Sequence, residues 1–115
     1  MAKLVRTVTG NIDHIIRDIT NEVLSGSVSA TLEESGDFSQ GSARCSTRVF
    51  ERYSWAGSNR VRLTLTFFQA DDSPVYISAM TSGGSQAVFV KVNTMGEDAF
   101  LEKVREAIDR LYPIH

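Results

Sequence analysis

The sequence predicts an α+β fold in two layers, a curved and mostly antiparallel sheet of about six strands with two helices on one face. Three observations predict it. Two stretches, one near each end of the chain, carry apolar residues at helical spacing. The segments between them alternate apolar and polar residues, as half-buried strands do. Clusters of Gly, Ser, Asn, Asp and Pro separate those segments at hairpin distances. The element order is β-α-β-β-β-β-β-α, and a run of hairpin-connected strands between two helices argues for one sheet with both helices on the same side.

Lys3 to Thr9 alternates Leu4, Arg6 and Val8 against Val5, Thr7 and Thr9, a first strand that ends at Gly10. Asn11 is placed to cap a helix, and Asp13 sits in its first turn, where a carboxylate suits the helix dipole. Ile12, Ile15, Ile16, Ile19 and Val23 form its apolar stripe, and Ser25–Gly26–Ser27 stops it. Val28 to Glu34 alternates again and predicts a second strand, followed by a polar loop, SGDFSQGS.

Ala43 to Trp55 is a long strand in which Cys45, Thr47, Val49 and Tyr53 oppose Arg44, Ser46, Arg48, Phe50 and Arg52. Val49 and Phe50 are adjacent, so either a bulge resets the phase or both faces carry apolar groups near the middle. Ala56–Gly57–Ser58–Asn59 is a turn, and Arg60 to Ala70 is a strand with Val61, Leu63, Leu65 and Phe67 on its core face. Asp71–Asp72–Ser73–Pro74 breaks the pattern. Val75 to Val92 is the most apolar stretch of its length and reads as two strands turning on Ser82–Gly83–Gly84–Ser85. Val75, Ile77 and Ala79 share a core face in the first of them, and Val88, Val90 and Val92 in the second. Thr94 and Glu97 have the spacing of a capping box, and Phe100, Leu101, Val104, Ala107, Ile108 and Leu111 form the stripe of a final helix ended by Pro113. The order loosely resembles the helix-grip arrangement, in which a curved sheet wraps a long last helix and leaves room for a ligand, although the chain is short for it.

At 115 residues the chain is expected to form one domain over 1–115 and to need no disulfide or metal for its core. With 42% hydrophobic residues, 23% charged residues and a formal charge of −2, global charge points to neither nucleic acid nor membrane. The single Cys45 has no internal disulfide partner, and MAKLVRTVTG has no apolar run resembling a signal peptide, so a cytoplasmic location is expected. No stretch approaches the roughly 18 apolar residues of a membrane span.

The segments GSVSATLEES, RCSTRVFERYS, NRVRLTLT and TSGGSQAVFVKVNTMGEDAF resemble a family of small uncharacterised bacterial proteins grouped as a domain of unknown function. The resemblance runs over most of the chain. It implies a bacterial cytoplasmic protein and brings no assigned catalytic or binding residues.

The most uneven feature is charge. Arg44, Arg48, Arg52, Arg60 and Arg62 stand against Glu51 alone between positions 44 and 62. The first three recur every fourth residue of one strand and so project from one face, about 13 Å apart. Such a patch is suited to a carboxylate, a phosphate or an acidic protein, with Phe50, Tyr53, Trp55 and Phe68 nearby for stacking. The competing reading is that these arginines keep an open face soluble, their stems lying over apolar neighbours.

Ser82, Gly83, Gly84 and Ser85 invite comparison with a phosphate loop, but they lack its spacing and lysine, and a strand rather than a helix is expected to follow. Cys45 reads as a small strand hydrophobe, because no histidine neighbours it in sequence. His14 and His115, with no carboxylate cluster beside them, predict no metal site, and no cofactor is expected. The sequence therefore points to a non-enzymatic interaction module that self-associates through its sheet. Phe50, Phe68, Met80 and Phe89 are the apolar set on the parity opposite the expected core. The alternative is a small anionic-ligand binder, or an enzyme, with a pocket between the sheet and the final helix.

Overall fold

The seven elements follow from where apolar side chains repeat and where the backbone must turn. The computed structural model describes residues 2–25, 30–54, 59–83 and 90–113, and of 53–54, 59 and 90–97 it describes the backbone alone. β1 (Ala2–Val8) leads to α1 (Ile12–Ser25), then to β2 (Thr31–Gln40), β3 (Ala43–Ser54), β4 (Asn59–Gln69) and β5 (Val75–Gly83), and the chain closes with α2 (Val90–Leu111). The strands form one five-stranded sheet in the order β1-β5-β4-β3-β2, with every adjacent pair antiparallel. No described helix is long and apolar enough to cross a membrane.

The expected α+β class holds, with five strands among the described residues where about six were expected. α1 starts as its sequence dictates. Asn11 Oδ1 accepts the N–H of His14 at 3.1 Å and satisfies a donor that the first turn leaves unpaired. Gly10 turns the chain out of β1 at φ 151°, a backbone that side chains beyond glycine rarely adopt. Parity also holds in the two central strands. Val61, Leu63, Leu65 and Phe67 of β4 and Val75, Ile77 and Ala79 of β5 are buried beneath the helices. Against them lie Ile15, Ile19 and Val23 of α1 and Phe100, Val104 and Ile108 of α2, all buried. Each such side chain contributes about 1.5–3 kcal/mol on leaving water. Arg6 on β1 reaches Asp109 on α2 at 3.2 Å, and Tyr112 donates to Asp18 on α1 at 3.1 Å, so polar contacts fasten α2 at both flanks.

Three expectations are corrected. The strand expected over Val88 to Val92 is not one, because Val90–Val92 already belong to α2; residues 84–89 lie outside those described. Sheet topology supplies the reason. β5 has β4 along one edge and β1 along the other, so a strand returning from Gly83 has no free edge of β5 to pair with. The second strand runs on through the segment expected to be a polar loop, because Gly41, at φ 59°, turns β2 directly back into β3. A register shift between Leu32 and Glu34 marks a bulge in β2, whereas β3 pairs with β4 without interruption.

The third correction concerns Phe50. It is fully buried, not part of an exposed apolar patch, because its register places it beside Leu63 on the helix-facing side. Val49 then lies on the opposite side, half-buried.

Candidate functional site

The register of β3 against β4 divides the five arginines between the two faces of the sheet. Directly paired residues share a side. Arg44, Arg48 and Arg52 sit opposite Gln69, Leu65 and Val61 and so project on the helix side, in line with the buried Phe50. Arg62 sits opposite Glu51 and Ser82, and Arg60 opposite Tyr53, on the side that carries no helix. The five do not form one patch.

The helix-side arginines act as struts. Arg44 grips Asp13 of α1 with two guanidinium nitrogens, at 2.7 and 3.3 Å, and holds that helix to β3. Arg48 donates to Asp37 at 3.1 Å and to the carbonyl of Thr47 at 2.9 Å, bracing β2. The Arg52 guanidinium lies 4.9 Å from the ring centre of Phe100, where the ring face attracts a cation, and burial pulls its pKa down. A cleft of about 390 Å³ runs between α1 and the overhanging β2–β3 hairpin, bordered by Asp13, Arg17, Thr20, Asp37, Arg44 and Arg48. Its charges are already matched in pairs, so a small anion entering it competes with Asp13 and Asp37 for the same donors.

These pairs leave an acid signature. The Arg44 hydrogen bond holds Asp13 below its ordinary value, and the hydroxyl of Ser46, followed by Arg48, does the same for Asp37. A carboxylate lowered by folding stabilises the fold fully above its unfolded pKa, about 3.9 for Asp, and loses that contribution as pH falls through the lower folded value. Asp13→Asn is therefore expected to lower stability slightly at neutral pH and to leave it unchanged in strong acid, so the limb below about pH 4 flattens by the same small amount. Urea melts across that range provide the check.

On the helix-free side Glu51 receives Arg62 at 3.0 Å and Arg60 at 3.4 Å, and the Arg62 bond first, then the two positive charges, lower its pKa. Ser82 and Gly83, the described half of the glycine-serine segment, border the same shallow cleft of about 450 Å³. Register brings them there, since Ser82 pairs with Arg62. Gly84, Ser85, Trp55 and Phe89 lie outside the described residues, and of Tyr53 only the backbone is described.

The rest of this face is ordered in rows across the sheet. The row farthest from Arg62 reads Phe38, Cys45, Phe68, Tyr76 and Thr7 from β2 to β1. Next come Gly36, Thr47, Thr66, Ser78 and Val5, and then Glu34, Val49, Thr64, Met80 and Lys3. Phe38 is 72% exposed, Val5 55%, Tyr76 49%, Met80 43% and Phe68 40%. A sheet face that only met water would alternate these out in favour of polar groups. Phe68 and Met80, both expected on an apolar face, are there, and Cys45 stands half-buried between Phe38 and Phe68.

Phe38 was not legible as a member of this face, whereas Val5 follows from its parity opposite Leu4 and Val8 once β1 pairs with β5. Phe38 falls in the stretch read as a loop. The signal that places it is length, since a strand running from Ala43 to Ser54 and entered by a two-residue turn needs a partner of similar extent.

The chain belongs to a family of unknown function, DUF6054, whose model matches residues 1–112. Comparison with curated proteins and with solved structures yields no match.

Proposed function

We propose that this protein is a non-enzymatic interaction module that pairs with a second copy of itself through the helix-free face of its sheet, in a reducing compartment where Cys45 stays a thiol. One observation carries the reading: Phe38, Phe68, Tyr76, Met80 and Val5, all exposed, lie together on one face of one sheet. Five strands about 4.8 Å apart and four rows about 6.7 Å apart give a footprint on the order of 600–700 Å² per copy. That is close to the roughly 800 Å² per partner of a standard stable interface.

Edge-to-edge pairing along β2, one of the two edge strands, is discouraged by that strand itself. Its outer edge carries the bulge beyond Leu32 together with Glu33, Glu34 and Asp37. Small residues in the middle of the face, Gly36, Thr47, Thr66 and Ser78, let two sheets approach to the usual spacing of about 10 Å.

Cys45 reports directly on this reading, because it stands within the aromatic row. Alkylation of Cys45 by a maleimide is expected to slow as protein concentration rises, in step with the paired fraction. A rate independent of concentration, up to levels where sedimentation finds pairs, places the contact on another surface.

A further inference from the structure

We infer that the two copies stack with their strands running in opposite directions, so that Arg60 and Arg62 of each copy face the Asp71–Asp72 turn of the other. The inference rests on the self-association reading and adds its geometry. The two charged groups mark opposite ends of the same sheet. Arg60 and Arg62 lie at the start of β4, and Asp71 and Asp72 lie in the turn that follows its end. Nine residues separate Arg62 from Asp71 in number, which at strand rise is about 30 Å.

A pair of identical copies is expected to close about a twofold axis, and two sheets packed face to face offer two choices for it. An axis parallel to the strands sets each end against its own copy, Arg62 over Arg62 and Asp72 over Asp72, so like charges meet. An axis across the strands sets each end against the other one. Only the second sets the two guanidinium groups of each copy, which share the single Glu51 carboxylate within it, against carboxylates of the other copy. Like-charge juxtaposition selects against the wrong register more strongly than exposed ion pairs add affinity, so the charges act mainly as an orienting device.

The second arrangement also gives the aromatic row something to meet. With Arg62 over Asp71, the row of Phe68 and Tyr76 comes between the row of Thr64 and Met80 and the row of Thr66 and Ser78 of the other copy. The rings there meet a flexible apolar side chain and small residues that leave them room. Twist leaves the strands of packed sheets about 30° from collinear, which still keeps each end over its opposite.

Orientation is read by cross-linking. In a Cys45→Ser background, one preparation carries Arg62→Cys and another Asp72→Cys, and a bis-maleimide with a reach of about 10 Å, the spacing of packed sheets, is added to each alone and to their mixture. Asp72 is chosen over Asp71 because Asp71 has a left-handed backbone and accepts a hydrogen bond from Ser42. The inference expects a covalent dimer in the mixture and almost none in either preparation alone. Cross-linking within the Arg62→Cys preparation overturns it in favour of the same-end stack. Pairs detected by sedimentation that cross-link in neither way also overturn it while leaving self-association standing. A protein that sediments only as a monomer overturns both. As an independent reading, Arg62→Glu is expected to weaken pairing roughly tenfold, or about 1.4 kcal/mol, and Asp72→Lys in the same chain to restore it. Equal weakening by both, without restoration, counts against the opposed arrangement.

Discussion

Phe50→Ala is expected to destabilise the fold by about 3–5 kcal/mol, the cost of removing a fully buried aromatic ring and leaving a cavity. Against a typical total of about 5–15 kcal/mol, that is enough to shift the melting temperature by many degrees or to leave a substantial unfolded fraction. The prediction separates two accounts of one residue. If Phe50 belonged to an exposed patch, its loss would weaken assembly and barely change stability. Beside Leu63 and sealed on the helix side, it should do the reverse in a dilute sample where association makes no contribution. Urea unfolding of Phe50→Ala against Phe68→Ala makes the comparison internal, since the partly exposed Phe68 should cost about 1 kcal/mol or less.

Phe68→Asp is the converse experiment. Phe68 lies at the centre of the aromatic row, between Cys45 and Tyr76, on the face that no helix covers. A central aromatic side chain of an interface contributes about 2 kcal/mol or more, so pairing should weaken at least about 30-fold. The monomer should remain folded, because the substituted position already meets water. Sedimentation velocity reports the first effect, and a circular-dichroism melt at low concentration reports the second. Loss of folding with loss of pairing would show that Phe68 holds the sheet together, and the interface account would lose its best-placed residue.

The two residues show how far the sequence could be read. Alternation in β4 and β5 identifies the core because these strands have one apolar face and one mixed face, and any one-residue slip would expose the whole apolar set. In β3 the signal fails. Arginines at 44, 48 and 52 share a parity with Phe50, so a reading that sends arginines to water sends Phe50 with them. The structure resolves the conflict with partners: Asp13 for Arg44, Asp37 for Arg48 and the Phe100 ring for Arg52. Each partner comes from a different element, and nothing local in the sequence foretells it.

The strand expected to end the stretch from Val75 to Val92 is helix over its described residues, Val90–Val92, for a similarly nonlocal reason. The segment has the apolar alternation of a strand, but β1 has taken the edge it would need. The first strand in the chain thus decides the fate of a segment some eighty residues later. The candidate face was half legible. Phe68 and Met80 follow from the parity of β4 and β5, whereas Phe38 joins them only once the tight turn at Gly41–Ser42 draws β2 alongside β3. The arginine count was right as composition and misleading as geometry, since register divides the five residues between opposite faces.

Sedimentation equilibrium of the unmodified chain, run from dilute to concentrated protein, tests the main proposal most directly. The account expects a reversible monomer–dimer transition whose midpoint moves to much higher concentration in Phe68→Asp. A mass that stays at 12.7 kDa throughout, or a dimer that Phe68→Asp leaves untouched, would contradict it.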